Sequence, residues 1–233
     1  IGPALLRHHK ISNSSLIDHG IVAKNVVKLP IYYWILKKHN DKLAIVKLLF
    51  ENYEEVIDTD ILETKINDDN FLHLLEKSEK SIEYILLSDK CNKKLLEDTN
   101  HDGNNILSLC ILNKYIDRVE QILNHKLCSQ TIVNSINKSK MTPFTLALQN
   151  SFEIAAIISE SKYYVEDKKL DSEVCLKLLH DSIKKKNIVG VQLIMNMPSF
   201  SKESLMIQDI DNNNCFHYAS ESTLEIFEYL LDK

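Results

Sequence analysis

The chain has 233 residues, with 28 Lys plus Arg against 33 Asp plus Glu and a formal net charge of −5. That balance excludes a nucleic-acid binder driven by bulk positive charge, and only 4 Gly and 4 Pro exclude collagen-like, linker-rich and turn-dense all-β chains. Hydrophobic residues at 44% suffice for a packed core, and no run approaches the roughly 18 apolar residues of a membrane span.

Residues 1–24 hold two short apolar patches, Ala4-Leu5-Leu6 and Ile21-Val22-Ala23, around a polar Ser/Asn stretch. They are expected to form a capping helix or linker ahead of a repeat domain over 25–233. The start, Ile1-Gly2-Pro3-Ala4, and the end, Tyr229-Leu230-Leu231-Asp232-Lys233, both read as cut from something longer.

From residue 25 onward one pattern recurs: a polar turn, a short apolar helix, then a second apolar run. The first large apolar residues of the six predicted leading helices are Ile31, Leu72, Leu107, Phe144, Leu179 and Phe216, spaced 41, 35, 37, 35 and 37 apart. Three residues past them stand Trp34, Leu75, Cys110, Ala147, Ser182 and Ala219, four of them small, as a tightly packed helix pair requires. About fourteen past each comes an apolar doublet: Leu48-Leu49, Ile85-Leu86, Ile122-Leu123, Ile157-Ile158, Leu193-Ile194 and Leu230-Leu231. The spacing predicts an all-α chain of about six helix-turn-helix repeats. Residues 162–171, with Tyr163 and Tyr164, read as a longer loop anchored by aromatic side chains.

These residues resemble the ankyrin repeat. Thr142-Pro143-Phe144-Thr145-Leu146-Ala147 is close to that family's Thr-Pro-Leu-His-x-Ala helix start, Cys215-Phe216-His217-Tyr218-Ala219 keeps the His and Ala, Phe71-Leu72-His73 and Leu179-His180 keep the Leu-His pair, and Leu29-Pro30-Ile31 keeps the Pro. The resemblance implies an ankyrin-like helical solenoid. The period, near 37 rather than the family's ~33, implies longer connections and some degraded turn fingers. Thr142 is a suitable N-cap, and Pro143 in the first turn forfeits no hydrogen bond. The fourth finger residue favours positive φ, which suits Gly103 and then Asn212; Lys140 fits poorly, so its finger is expected to be distorted.

Chemistry-bearing constellations are sparse. There is no Gly-x-Ser-x-Gly, no phosphate-cradling glycine loop and no His-Glu-x-x-His. His8-His9 lacks partners at ligand spacing, and His125 with Cys128 is only half of a zinc site. Asp58-Thr59-Asp60 and Asp98 with Asp102 read as turn and cap chemistry. The five cysteines, at 91, 110, 128, 175 and 215, are odd in number and widely spaced, so they read as reduced thiols, with Cys110 and Cys215 buried and inert. The expectation is no enzyme, no cofactor and no metal.

The resemblance implies instead a binding module for another protein, with its site on the turn fingertips and the exposed faces of the leading helices. The fingertip residues are His101, Asp102 and Asn104; Lys138, Ser139 and Met141; Ile210, Asp211 and Asn213. The helix residues are Leu112 and Asn113, Gln149 and Asn150, and Lys184 and Lys185. His73, His180 and His217 are expected to hydrogen-bond backbone in neighbouring turns. The Lys-, Asn- and Ile-rich usage and worn repeats resemble secreted ankyrin effectors of intracellular bacteria, which implies a cytoplasmic setting or secretion into a host cell and a host protein as partner. A non-catalytic piece of a larger enzyme is the alternative.

Overall fold

A burial pattern with a helical period and almost no β-turn chemistry should yield helices, and it does. The computed structural model describes residues 31–38, 40–52, 62–165, 172–198 and 200–232. The segment 1–24, Pro30, the Ile31 and Trp34 side chains, Asp58-Thr59-Asp60 and residues 166–171 lie outside what it describes. The described elements are α1 (Ile31–Lys38), α2 (Lys42–Asn52), α3 (Phe71–Leu74), α4 (Glu79–Leu86), α5 (Lys93–Glu97), α6 (Ile106–Leu112), α7 (Ile116–Asn124), α8 (Gln130–Val133), α9 (Pro143–Asn150), α10 (Phe152–Ser159), α11 (Ser172–Lys184), α12 (Ile188–Met195), a 3-10 turn (Lys202–Met206), α13 (Cys215–Ser220) and α14 (Leu224–Leu231). Among the described residues there is no strand, only one isolated bridge between Ile66 and Asp69. The chain divides into two compact units, 1–106 and 107–233.

The regular element is the second helix of each pair. These helices begin at Lys42, Glu79, Ile116, Phe152, Ile188 and Leu224, so the spacing is 37, 37, 36, 36 and 36. Within unit 1, α1 packs on α2 and on α3, and α2 packs on α4. Within unit 2, α9 packs on α10, α11 on α12 and α13 on α14. First helices also meet first helices (α9 with α11, α11 with α13), and second meet second (α7 with α10, α10 with α12, α12 with α14). Each pair thereby covers the apolar stripe that its neighbour cannot bury alone. The small residues three past the leading apolar position, Cys110, Ala147, Ser182 and Ala219, are buried, as is Leu75. Of the trailing doublets, Ile85-Leu86 and Ile122-Leu123 are buried, whereas Leu231 is exposed, contrary to the expectation from its register.

Helix starts follow from their capping residues. Asn70, Thr142 and Asn214 each accept the backbone N–H three residues on, and His73, Thr145 and His217 return the bond to the N-cap N–H at 3.0, 2.8 and 3.1 Å. Ser151, Asn187 and Thr223 cap α10, α12 and α14. The ends of α6 and α11 share one geometry. Tyr115 N–H bonds the Cys110 carbonyl and Lys114 N–H that of Ile111; Asn187 N–H bonds Ser182 and Lys186 N–H bonds Ile183. This is a Schellman end with lysine, at φ 59° and 55°, where glycine is usual.

Three fingers are built alike. Asn100, Asn137 and Asp209 each donate N–H to the residue four on and accept, on the carbonyl, the N–H of the residue three on; their side-chain Oδ1 accepts the N–H of Asn104, Met141 and Asn213 at 2.9–3.0 Å. The third-following residue is left-handed in all three: Gly103 (φ 80°), Lys140 (φ 60°) and Asn212 (φ 59°). The Lys140 finger is therefore not distorted, because the Asn137 side chain holds the turn closed whatever the residue at its strained position. Unit 1 has a tighter variant at 66–69, with Asn67 and Asp68 both at positive φ.

The fifth repeat departs from this plan. Counting back fourteen residues from Lys186, as Asn100 lies before Lys114, places its finger at 172–176, and those residues are the start of α11. Leu179 is thus a mid-helix residue rather than the head of a short helix. Ser172-Glu173-Val174-Cys175-Leu176 offers no Gly or Asn for the left-handed position, so continued helix wins.

The second helices approach closely at Gly190 of α12, where a Cβ would fall inside the Phe152 ring of α10. Gly190→Ala should lower stability by about 1–3 kcal/mol, since overpacking outweighs alanine's ~1 kcal/mol helix advantage. Phe152→Leu in the same background should recover part of the loss, as read by urea unfolding of the single and double variants. Lys140→Gly should raise stability by about 0.5–1 kcal/mol, the left-handed penalty less glycine's backbone entropy; a lowered unfolding midpoint would show that the lysine stem contributes packing there.

Candidate functional site

The expected surface residues separate into groups that face solvent and groups that hold the turns together. In unit 1, His101 and Asp102 are exposed at the 100–104 finger. His101 Nδ1 lies 3.2 Å from Asp68 Oδ2 on the preceding turn, so two adjacent tips are linked. Asp69 beside them is half-buried, and its carboxyl is raised by burial and then by Glu76. Asn104 is buried, contrary to its assignment as a fingertip: its N–H and carbonyl both close the turn on Asn100.

In unit 2, Lys138 and Ser139 are exposed at one finger, and Asp211 and Ile210 at another; Ile210 is 98% exposed. Met141 and Asn213 are half-buried, because they occupy the closing position that Asn104 holds in unit 1. Leu112 is partly exposed, and Gln149 is exposed. Asn113 and Asn150 serve their own helices, with Nδ2 donating to the carbonyls of Leu109 (2.9 Å) and Leu146 (2.7 Å) one turn back. Lys185 reaches across to the Gln149 carbonyl at 3.4 Å.

Lys184 is exposed yet engaged. Its Nζ lies 3.9 Å from the centre of the Tyr218 ring, and the Tyr218 hydroxyl beside it raises its pKa. That hydroxyl donates to Asp209 Oδ2, which holds the Asp209 carboxyl below the usual range. The buried His180 ring lies tilted by 59° against Tyr218, with centroids 4.9 Å apart, and its Nδ1 is 4.0 Å from Asp209 Oδ2. Burial lowers the His180 pKa, against the pull of Asp209. His180 therefore meets a side-chain carboxylate instead of the backbone expected of it. The clasp from Asp209 to Tyr218 and Lys184 escaped the reading of the sequence. Its one signal is the carboxylate at Asp209 where the other fingers carry the neutral Asn100 and Asn137, since a charge there requires compensation.

His73 and His217 close the caps of their own helices, whereas neighbouring turns were expected to receive them. The His73 Nε2 lies toward the carbonyls of Asp98 and Asn104 without closing a well-formed hydrogen bond. The thiols offer little nucleophilicity: all five are buried, and burial pushes Cys128 up to about 11 and Cys215 up to about 12. His125 Nδ1 accepts the Leu127 N–H at 3.2 Å, and among the described residues no group of three or more His, Cys, Asp and Glu side chains is placed to share an ion. No described helix is long and apolar enough to cross a membrane.

No protein-family model matches this chain, and no curated protein matches its sequence.

The buried cap imposes a pH dependence. Burial first, and the Lys65 charge second, hold His73 at about 4 in the folded chain against 6.5 when unfolded. Between those values the unfolded chain takes a proton that the folded one refuses. Stability should therefore fall as pH drops from about 6.5 to about 4, by about 3 kcal/mol from this group. His73→Thr keeps the reciprocal cap in the form that Thr145 uses and should flatten that fall. Unfolding curves at pH 7, 5.5 and 4 for both proteins test this, and parallel profiles would reject it.

Proposed function

We propose that this chain is a protein–protein interaction module, an ankyrin-like stack of about six helix pairs that recognises a partner through its finger tips and leading-helix ends. The observation that carries the reading is Ile210: a large apolar side chain, 98% exposed, sits on a finger whose backbone is held by four internal hydrogen bonds that involve Asp209. An apolar side chain on a pre-ordered tip binds without a large ordering cost, and it contributes nothing to the packing of its own unit. Lys138, Ser139 and Asp211 are presented in the same way. The 36-residue period, the repeated finger geometry and the first-on-first, second-on-second packing support the ankyrin likeness.

The partner in this reading is another protein, and the likeness to secreted effectors makes it a host-cell protein. Binding is spread over several residues, with Ile210 as an apolar contributor and Lys138, Gln149 and Lys185 as polar ones. A combined Lys138→Ala, Gln149→Ala, Lys185→Ala, Ile210→Ala variant should keep its unfolding free energy within about 0.5 kcal/mol, the usual range for surface positions. It should also lose the proteins that the parent captures from host-cell lysate. A Glu120→Ala, Glu153→Ala variant on the second helices should retain them. Loss of capture from the second-helix variant alone would reject this surface.

A further inference from the structure

Two second helices of unit 1 leave open a gap that two of unit 2 close from within. In unit 2 Phe152, the first residue of α10, lays its ring where a Cβ at Gly190, the third residue of α12, would stand. In unit 1 the first residue of α2 is Lys42 and the third of α4 is Ser81. Lys42 turns its Nζ onto the Leu74 carbonyl, and the buried Ser81 hydroxyl is bonded to that of Ser78 at 2.6 Å. Neither position lays a ring between α2 and α4, although the two helices pack on each other. A groove of about 170 Å³ remains between them. It is lined by Leu43 and Lys47 of α2, by Lys80, Glu83 and Tyr84 of α4, and by Leu87 just past the end of α4.

The groove joins apolar walls to two unpaired cations. Leu43 and Tyr84 are half-buried, and the Tyr84 ring is held edge-on against Phe50, with centroids 5.8 Å apart. Leu87 is 73% exposed, so most of its apolar surface meets water. An apolar cavity of about 150 Å³ admits a benzene ring, so this groove has room for one leucine or phenylalanine side chain. Lys47 and Lys80 stand on opposite walls, and both are exposed. Among the described residues neither forms an ion pair or a hydrogen bond, and the Tyr84 hydroxyl has no hydrogen-bond partner. Lys47 Nζ lies 6.0 Å from the centre of the Tyr84 ring. Glu83 is the one acid in the lining, and Glu51 lies toward the Tyr84 hydroxyl, whose pKa is raised by burial first and that carboxylate second.

We propose that this groove binds an acidic segment of a partner protein, with one leucine or phenylalanine side chain inserted beside Leu43, Tyr84 and Leu87 and flanking Asp or Glu carboxylates on Lys47 and Lys80. The apolar walls supply the seat for the side chain, and the two ammoniums, with no carboxylate of their own, set the sign of what flanks it. Lysine stems cover apolar surface while their heads stay in water, so the carboxylates meet them at the rim with little desolvation. A basic segment would set its charges against both lysines and find only Glu83 in the lining. The groove lies on the second helices of unit 1, so the proposal is separate from the finger surface and stands or falls without it.

The test titrates the isotopically labelled 233-residue chain with short synthetic peptides and follows its amide chemical shifts. One peptide has a single Phe among Asp and Glu; a second replaces the Phe by Ser; a third replaces every acid by Lys. The first should bind about tenfold or more tighter than either control, a gap of about 1.4 kcal/mol. It should move the amides of α2 and α4 and leave those of the 209–213 finger in place. Lys47→Gln with Lys80→Gln should abolish the preference over the Lys peptide, and Leu87→Ser should shrink the preference over the Ser peptide. Both variants should keep the parent's unfolding midpoint, because these side chains are exposed. The Ile210 surface variant should bind like the parent. Equal binding of the Ser peptide would mean attraction to charge alone and would overturn the proposal. Unchanged binding by the lysine variant would do the same, as would shifts confined to the fingers. So would a dimer in sedimentation that the lysine variant dissolves, since the occupant would then be a second copy of this chain.

Discussion

Among the described residues, no helix pair can bury its apolar stripe alone, and much of the packing follows from that constraint. A pair of short helices leaves Ile154 and Ile158, or Val191 and Ile194, with one side open until the neighbouring second helix covers it. The cover must have the same shape each time, so the second helices recur at 36 or 37 residues even where the leading apolar residues drift. The approach of Gly190 to Phe152 is the tightest expression of this rule, since the ring occupies the volume that any side chain at 190 would need.

The fingers are free of that packing constraint and are held by local hydrogen bonds instead. One side chain at the base, Asn100, Asn137 or Asp209, accepts the N–H of the residue that closes the turn. With the turn closed from the base, the tip can carry any residue, and so the tips hold His101, Lys138 and Ile210. The same independence lets the fifth finger be replaced by helix without disturbing the pair beneath it. Where the base is the acid Asp209, a charge enters a half-buried place, and the preceding helix supplies Tyr218's partner Lys184 and the buried His180 around it. That is a structural consequence of one Asn-to-Asp difference between repeats.

Exposure and engagement are distinct properties on this surface. Lys184 and Lys185 are both exposed, but one lies on Tyr218 and the other bonds Gln149, so their charges are positioned rather than free. Asn113 and Asn150 look like recognition residues by type, yet each closes the last turn of its own helix. Lys138, Ser139, Ile210 and Asp211 are exposed at their finger tips.

Much of the architecture was legible in the residues themselves. The helical period, the small residues at Ala147 and Ala219, the cap at Thr142 and the left-handed Gly103 and Asn212 are all local properties, set by a residue's neighbours within four or five positions. What the sequence could not determine depends on groups distant along the chain. Lys140 is left-handed because Asn137 closes its turn, a side-chain bond that outweighs the intrinsic penalty at Lys140. Asn104 is buried although its type suggests a tip. His180 meets Asp209 across 29 positions, and only the packing of α11 on α13 brings them together. Leu231 has the same register as Leu123 and Met195 but the opposite burial, because burial belongs to whatever lies beside a residue, and periodicity reports only the face on which it stands.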